Sequence, residues 1–108
     1  MWIFTNKSFL SIVAHKDDPS IRLVRARCKG DIEAVFPDED VFEDATADYR
    51  YRALIPVDEV AFVIGLQVFD MDYTNFKNSI PDDKPDYHNA CLRVWQILYS
   101  LQKRLLMN

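Results

Sequence analysis

A chain of 108 residues is long enough to bury one hydrophobic core and too short for two independent ones. With 49% apolar and 13% aromatic residues, the composition is that of a globular protein and excludes a disordered one. The net charge of −4 argues against a dedicated duplex nucleic-acid binder, because such proteins usually carry a basic excess. We therefore expect a single domain over residues 1–108.

The first part of the chain predicts a β-hairpin. A β-branched and aromatic run from Ser8 to Ala14 is followed by turn formers from His15 to Ser20, and a second run extends from Ile21 to Cys28. Trp2 to Thr5 forms either a preceding short strand or the start of one long, bulged strand. Because polar residues interrupt this apolar start and no basic segment precedes it, we expect a strand region rather than a signal peptide.

The middle of the chain predicts a short helix, an acidic loop and a further strand. Residues 29–36 resemble a short helix with Asp31 near its N-terminus, and Pro37 stops it. The acidic segment, residues 38–48, is expected to be a loop. The stretch DYRYRALI, from Asp48 to Ile55, returns as a strand.

The next run, from Val60 to Phe69, fits either a buried helix or a buried strand, because it is rich in β-branched residues and contains Gly65. Its length, and the acidic residues that follow Pro56, favour a helix. A short helical turn is predicted between Asp72 and Ser79.

The last element is predicted to be an amphipathic helix that packs one face on the core. Asp86 is a suitable N-cap, and apolar residues then recur at helical spacing, namely Tyr87, Cys91, Val94, Leu98, Leu101 and Leu105. The order of elements predicts an α+β fold: a three- or four-stranded, mainly antiparallel sheet with helices packed on one face. The closest known topology is ferredoxin-like.

Four arginines are the candidate binding residues. Alternation along a strand places Tyr49, Tyr51, Ala53 and Ile55 on one face, towards the helices, and the hairpin strand divides in the same way. The open face of the sheet would then carry Arg25, Arg27, Arg50 and Arg52. Guanidinium groups bind phosphate and carboxylate in a bidentate manner, so such a cluster could bind single-stranded nucleic acid or phosphate. The alternative is that carboxylates of the acidic segment already pair with these arginines.

No pattern in the sequence predicts a metal, a cofactor or a catalytic residue. His15, Cys28, His88 and Cys91 lack the two close ligand pairs of structural zinc sites. A glycine-rich phosphate loop is excluded, because the chain has only two glycines. The two cysteines predict reduced thiols in a cytoplasm, and no apolar run reaches the roughly 20 residues that a membrane span needs.

The segments FLSIV, VRAR, KGDIEAVFP, DYRYR and DYTNFK, together with VW of the last helix, resemble a family of short bacterial and mobile-element proteins of uncharacterised activity. The resemblance implies a cytoplasmic bacterial or phage setting and carries no activity with it.

Two functional hypotheses follow. The first is a small non-enzymatic interaction or regulatory protein that binds a protein partner through its open sheet face and acidic segment. The second is a polyanion-binding module that uses the four arginines. A homodimer is compatible with either hypothesis, because an exposed sheet edge or face can self-associate.

Overall fold

The computed structural model describes residues 1–107 and has an α+β fold. The described residues form five strands and three helices: β1 (Trp2–Phe4), β2 (Phe9–Ala14), β3 (Ile21–Ala26), β4 (Phe42–Glu43), β5 (Tyr51–Pro56), α1 (Val57–Phe69), α2 (Phe76–Ser79) and α3 (Pro85–Leu106). The chain divides into two compact units, one of which is Met1–Asp72 and the other of which begins at Tyr73.

The first unit is built on a five-stranded sheet with the order β1-β2-β3-β5-β4, in which all neighbouring strands are antiparallel. The predicted hairpin is confirmed as β2 and β3, with Ile12 opposite Val24. The predicted number of strands was wrong, because β1 is a separate strand and the acidic segment contributes β4. A ferredoxin-like topology is not confirmed, since all five strands precede α1 and no helix connects two of them within residues 1–107.

The core lies on one face of this sheet, here called the core face. Alternation along the strands brings their inward side chains together, and α1 and the segment after β3 pack against them. The buried cluster consists of Leu10, Ile12, Val24, Ala26, Ile32, Val35, Phe36, Ala53, Ile55 and Val60. The predicted division of β3 and β5 into an apolar side and an arginine-bearing side is confirmed for Val24, Ala26, Ala53 and Ile55.

The short helix predicted over residues 29–36 was wrong. This segment forms hydrogen-bonded turns, in which the Ala34 N–H donates to the Gly30 carbonyl at 3.0 Å and the Phe36 N–H donates to the Ile32 carbonyl at 2.7 Å. Gly30 has a φ of 89°, which is left-handed backbone that does not continue into a regular helix. Pro37 follows too soon for a helix to propagate, so the segment is held by its buried side chains instead.

The run that fitted either a helix or a strand is helical. Helix α1 begins directly after Pro56, and its first turn contains Asp58 and Glu59. Val60 enters the core, whereas Phe62 and Phe69 are exposed. Helix α1 therefore carries large apolar side chains on the side that faces away from the core as well as on the side that faces it.

In the second unit, α2 confirms the predicted helical turn, and the Asn75 side chain caps it by accepting from the Asn78 N–H at 3.0 Å. Helix α3 begins at Pro85, so Asp86 lies in the first turn rather than at the N-cap. Cys91 is the one buried residue of α3. Within residues 1–107, no helix combines the length and the apolar character that crossing a membrane requires.

Replacing Ile55 by Ala should lower the free energy of unfolding by about 2 to 5 kcal/mol, because the side chain is fully buried and its truncation leaves a cavity. The matched control is Leu54→Ala on the same strand. Leu54 is 48% exposed on the opposite face, so its loss should cost less than about 1 kcal/mol. Urea unfolding followed by circular dichroism measures both values, and equal losses would contradict the assignment of the core face.

Candidate functional site

Two arginines face each other across the central strands of the sheet. Arg25 of β3 lies directly opposite Arg52 of β5, so both project from the face that is opposite the core face. The paired residues form a row across the sheet. Beyond Arg25 the row runs through Ser11 to Trp2 at one edge, and beyond Arg52 it ends at Phe42 at the other edge. The prediction that Arg25 and Arg52 share a face is therefore confirmed, and exposed aromatic side chains lie at both ends of their row.

Tyr49 is buried but lies outside the main core cluster, with its ring against the guanidinium groups of Arg25 and Arg27. Its ring is 4.6 Å from the Arg25 Cζ and 4.1 Å from the Arg27 Cζ, and its carbonyl accepts a hydrogen bond of 3.3 Å from Arg52 Nη1. The prediction that Tyr49 shares the core face with Tyr51 was wrong, because β5 begins only at Tyr51 and strand alternation does not extend back to residue 49. We call Tyr49, Arg25, Arg27 and Arg52 the arginine–tyrosine cluster.

The arginines of this cluster are held by neutral groups. Arg25 Nη2 donates to Ser11 Oγ at 2.7 Å, and Arg27 Nη1 donates to the Asp48 carbonyl at 3.0 Å. Arg25 Nε is buried and has no hydrogen-bond partner among the residues that the structure describes. None of the three guanidinium groups forms a salt bridge with a carboxylate in residues 1–107. The positive charge of the cluster is thus not neutralised by direct contact.

Arg50, the fourth predicted binding residue, is not part of this cluster. Its Nε lies 3.2 Å from Glu43 Oε2, and both side chains are about half exposed, at 53% and 51%. Such a surface pair typically contributes 1 kcal/mol or less to stability. The structure thus brings together Arg25, Arg27 and Arg52, and it places Arg50 with a carboxylate of the acidic segment.

Two further carboxylates of the acidic segment, those of Glu39 and Asp44, have their main partners outside the arginine–tyrosine cluster. A hydrogen bond with Glu59 raises the pKa of Glu39, so this carboxyl group lies beside another acid rather than beside an arginine. Hydrogen bonds from Thr46 lower the pKa of Asp44, and the charge of Arg52 adds to this effect. The acidic segment therefore neutralises Arg50 by contact and affects Arg52 only through its field.

The histidines and cysteines do not form a site. Among the residues that the structure describes, no three or more His, Cys, Asp and Glu side chains are placed so that they could hold a metal ion. Cys28 is exposed and Cys91 is buried. Burial raises the pKa of the Cys91 thiol, so its reactive thiolate form is disfavoured.

A second surface, which the sequence interpretation assigned to the core, is the exposed apolar side of α3. We define the α3 apolar surface as Trp95, Ile97, Leu98, Leu101 and Leu105, all of which are exposed. Val94, Leu98, Leu101 and Leu105 alternate spacings of three and four, which is the pattern of helix–helix contacts. In the sequence, this spacing indicates that α3 has an apolar side. It does not distinguish a side that packs on the core from a side that binds another protein.

Two aromatic rings of α3 are in contact with cations, one from α2 and one from α3 itself. The rings of Trp95 and Tyr99 stack with centroids 5.2 Å apart and planes 4° apart. Lys77 Nζ lies 4.2 Å from the Trp95 ring, and Lys103 Nζ lies 5.1 Å from the Tyr99 ring. After its first turn α3 has no acidic residue, so the charged residues that the helix itself contributes to this surface are basic.

Comparison of the chain with models of protein families, with curated proteins and with solved structures finds no match. Function is therefore inferred from the geometry of these two surfaces and from their charges.

Replacing Tyr49 by Leu should lower the free energy of unfolding by about 1 to 3 kcal/mol, because the ring holds two guanidinium groups by cation–π contacts. Tyr49→Phe keeps the ring and should change stability by less than about 0.5 kcal/mol. Chemical denaturation of both variants measures the difference. If Tyr49→Leu were as stable as Tyr49→Phe, the ring would not organise the arginines.

Proposed function

We propose that this protein is a small, non-enzymatic interaction protein that acts through protein–protein contacts, with the α3 apolar surface as its main binding surface. The observation that carries the proposal is the exposure of Trp95, Ile97, Leu98, Leu101 and Leu105 on one helix. A cytoplasmic bacterial or phage setting accompanies the proposal, as the sequence resemblance implies.

Contiguous apolar surface of this kind is costly in water and is typical of protein interfaces. Tryptophan and tyrosine are enriched among the residues that dominate binding free energies, and α3 presents both in a stacked pair. An exposed amphipathic helix binds its partner by placing its apolar side in a groove or against another helix. Since Lys103 and Arg104 flank the α3 apolar surface, the complementary partner surface is apolar with acidic residues at its rim.

The experiment compares capture of partners from the native host by three forms of the protein. The double variant Leu98→Asp and Leu105→Asp places two charges on the α3 apolar surface. The matched control, Gln96→Asp and Ser100→Asp, adds the same charge at exposed polar positions of the same helix. We expect a partner that the wild type and the control retain and that the first variant loses by at least tenfold.

Light scattering of the purified protein determines whether a second copy is this partner. Because all four substituted positions are exposed, circular dichroism should show the same helix content in every form. The proposal would be contradicted if no partner were captured reproducibly and the protein were monomeric, or if both double variants lost the partner equally.

A second candidate function is binding of a polyanion, meaning single-stranded nucleic acid or phosphate, by the arginine–tyrosine cluster. Three guanidinium groups that lack a carboxylate partner among residues 1–107 favour it. Exposed Trp2 and Phe42 lie at the ends of the same row, and they could stack with bases. The net charge of −4 counts against a long polyanion, so this function stands second.

Titration of a fluorescent single-stranded oligonucleotide at several salt concentrations tests the second function. We expect affinity to fall steeply as the salt concentration rises. Arg27→Gln and Arg52→Gln should each reduce the slope of log affinity against log salt concentration by about one, the effect of losing one phosphate contact. Arg50→Gln is the matched control and should keep the wild-type slope, because Arg50 is paired with Glu43. Absence of binding at low salt would exclude this function.

A further inference from the structure

Helix α1 leaves part of the core face uncovered. It packs mainly over β3 and β5, so the inward side chains of β1 and β2 meet only the flank of the helix. An open cleft of about 280 Å³ lies between them within the first unit. Its walls include Ile3, Ile12 and Ala14 from the strands, Val60 and Ile64 from α1, and Arg22.

Arg22 is the one charged side chain in this lining. It projects from the core face, where it lies opposite Ala14 on β2 and Ile55 on β5. Its Nη1 donates to the Pro19 carbonyl at 2.9 Å and to the Ile21 carbonyl at 3.2 Å, which fixes the guanidinium group at the end of β3. Its Nε and Nη2 make no hydrogen bond within the part of the chain that the structure describes. Donors therefore remain for a ligand.

We propose that this cleft binds a small amphipathic carboxylate, with the aliphatic chain between α1 and the strands and the carboxylate on Arg22. Small-molecule sites are typically apolar with a few polar groups that fix orientation, and this lining has that composition. Arginine presents donors in the geometry that a carboxylate accepts. No acidic side chain lines the cleft, so an amphipathic cation is not the complementary ligand.

The size of the cleft sets the size of the ligand. Since a water molecule occupies about 30 Å³ of liquid, the cleft accommodates on the order of ten non-hydrogen atoms. Octanoate has this size and chemistry, and octanol provides the same chain without the charge. The site does not use the α3 apolar surface or the arginine–tyrosine cluster, so it is independent of the functions proposed above.

The experiment titrates octanoate and, separately, octanol into the full chain and follows backbone amide resonances by NMR. We expect saturable shifts at Ala14, Val60 and Ile64, with octanoate binding about tenfold more tightly than octanol. Arg22→Gln should weaken octanoate about tenfold and leave octanol unchanged. Ala61→Phe, at an exposed position of the lining, should block both ligands.

Arg50→Gln is the charge-matched control and should leave both affinities unchanged, since Arg50 lies outside the cleft. Equal affinities for octanoate and octanol, or an unchanged octanoate affinity in Arg22→Gln, would overturn recognition of the carboxylate. Shifts confined to α3, or shifts that do not saturate, would overturn the cleft as the binding site.

Discussion

The pairing of β3 with β5 is the interaction on which the rest of the first unit depends. Its register places Val24 opposite Ala53 on the core face and Arg25 opposite Arg52 on the other face. Like charges directly opposite each other on neighbouring strands are destabilising, so this register is acceptable only if the repulsion is compensated. Tyr49 provides that compensation, because its ring faces two guanidinium groups and its carbonyl accepts from the third. The strand register that aligns the core residues therefore also brings the arginines of the arginine–tyrosine cluster together.

The sequence predicted those parts of the fold in which one pattern runs unbroken. Alternation over β3 and β5 separated the core residues Val24 and Ala53 from Arg25 and Arg52. The acidic turn after Pro56 favoured the helix that α1 forms. The orientation of Tyr49 could not be predicted, because alternation fails where a strand begins and the sequence does not mark that residue. The Arg50 ion pair depends on β4, a strand of two residues, which is too short to leave a periodic signal.

The surface of α3 illustrates a different limit. Periodicity shows that a helix has an apolar side, and it does not show what covers that side. The second unit, from Tyr73 onward, is shorter than the roughly 40 residues below which a chain rarely holds an independent core. Leu98, Leu101 and Leu105 are consequently exposed although their spacing is that of a packed helix. Exposure on this scale is what directs the functional proposal towards a protein partner.

The distribution of charge ranks protein binding above polyanion binding. At physiological ionic strength, exposed charges more than about 8 Å apart are largely screened, so a ligand responds to the groups that it touches. A short acidic or apolar element of a partner can contact α3, with its exclusively basic charged residues after the first turn, without meeting the acidic segment. A polyanion on the arginine–tyrosine cluster would also meet the charge of Asp44, which interacts electrostatically with Arg52 and is held by hydrogen bonds from Thr46. The protein-binding function therefore requires fewer compensating contacts than the polyanion-binding function does.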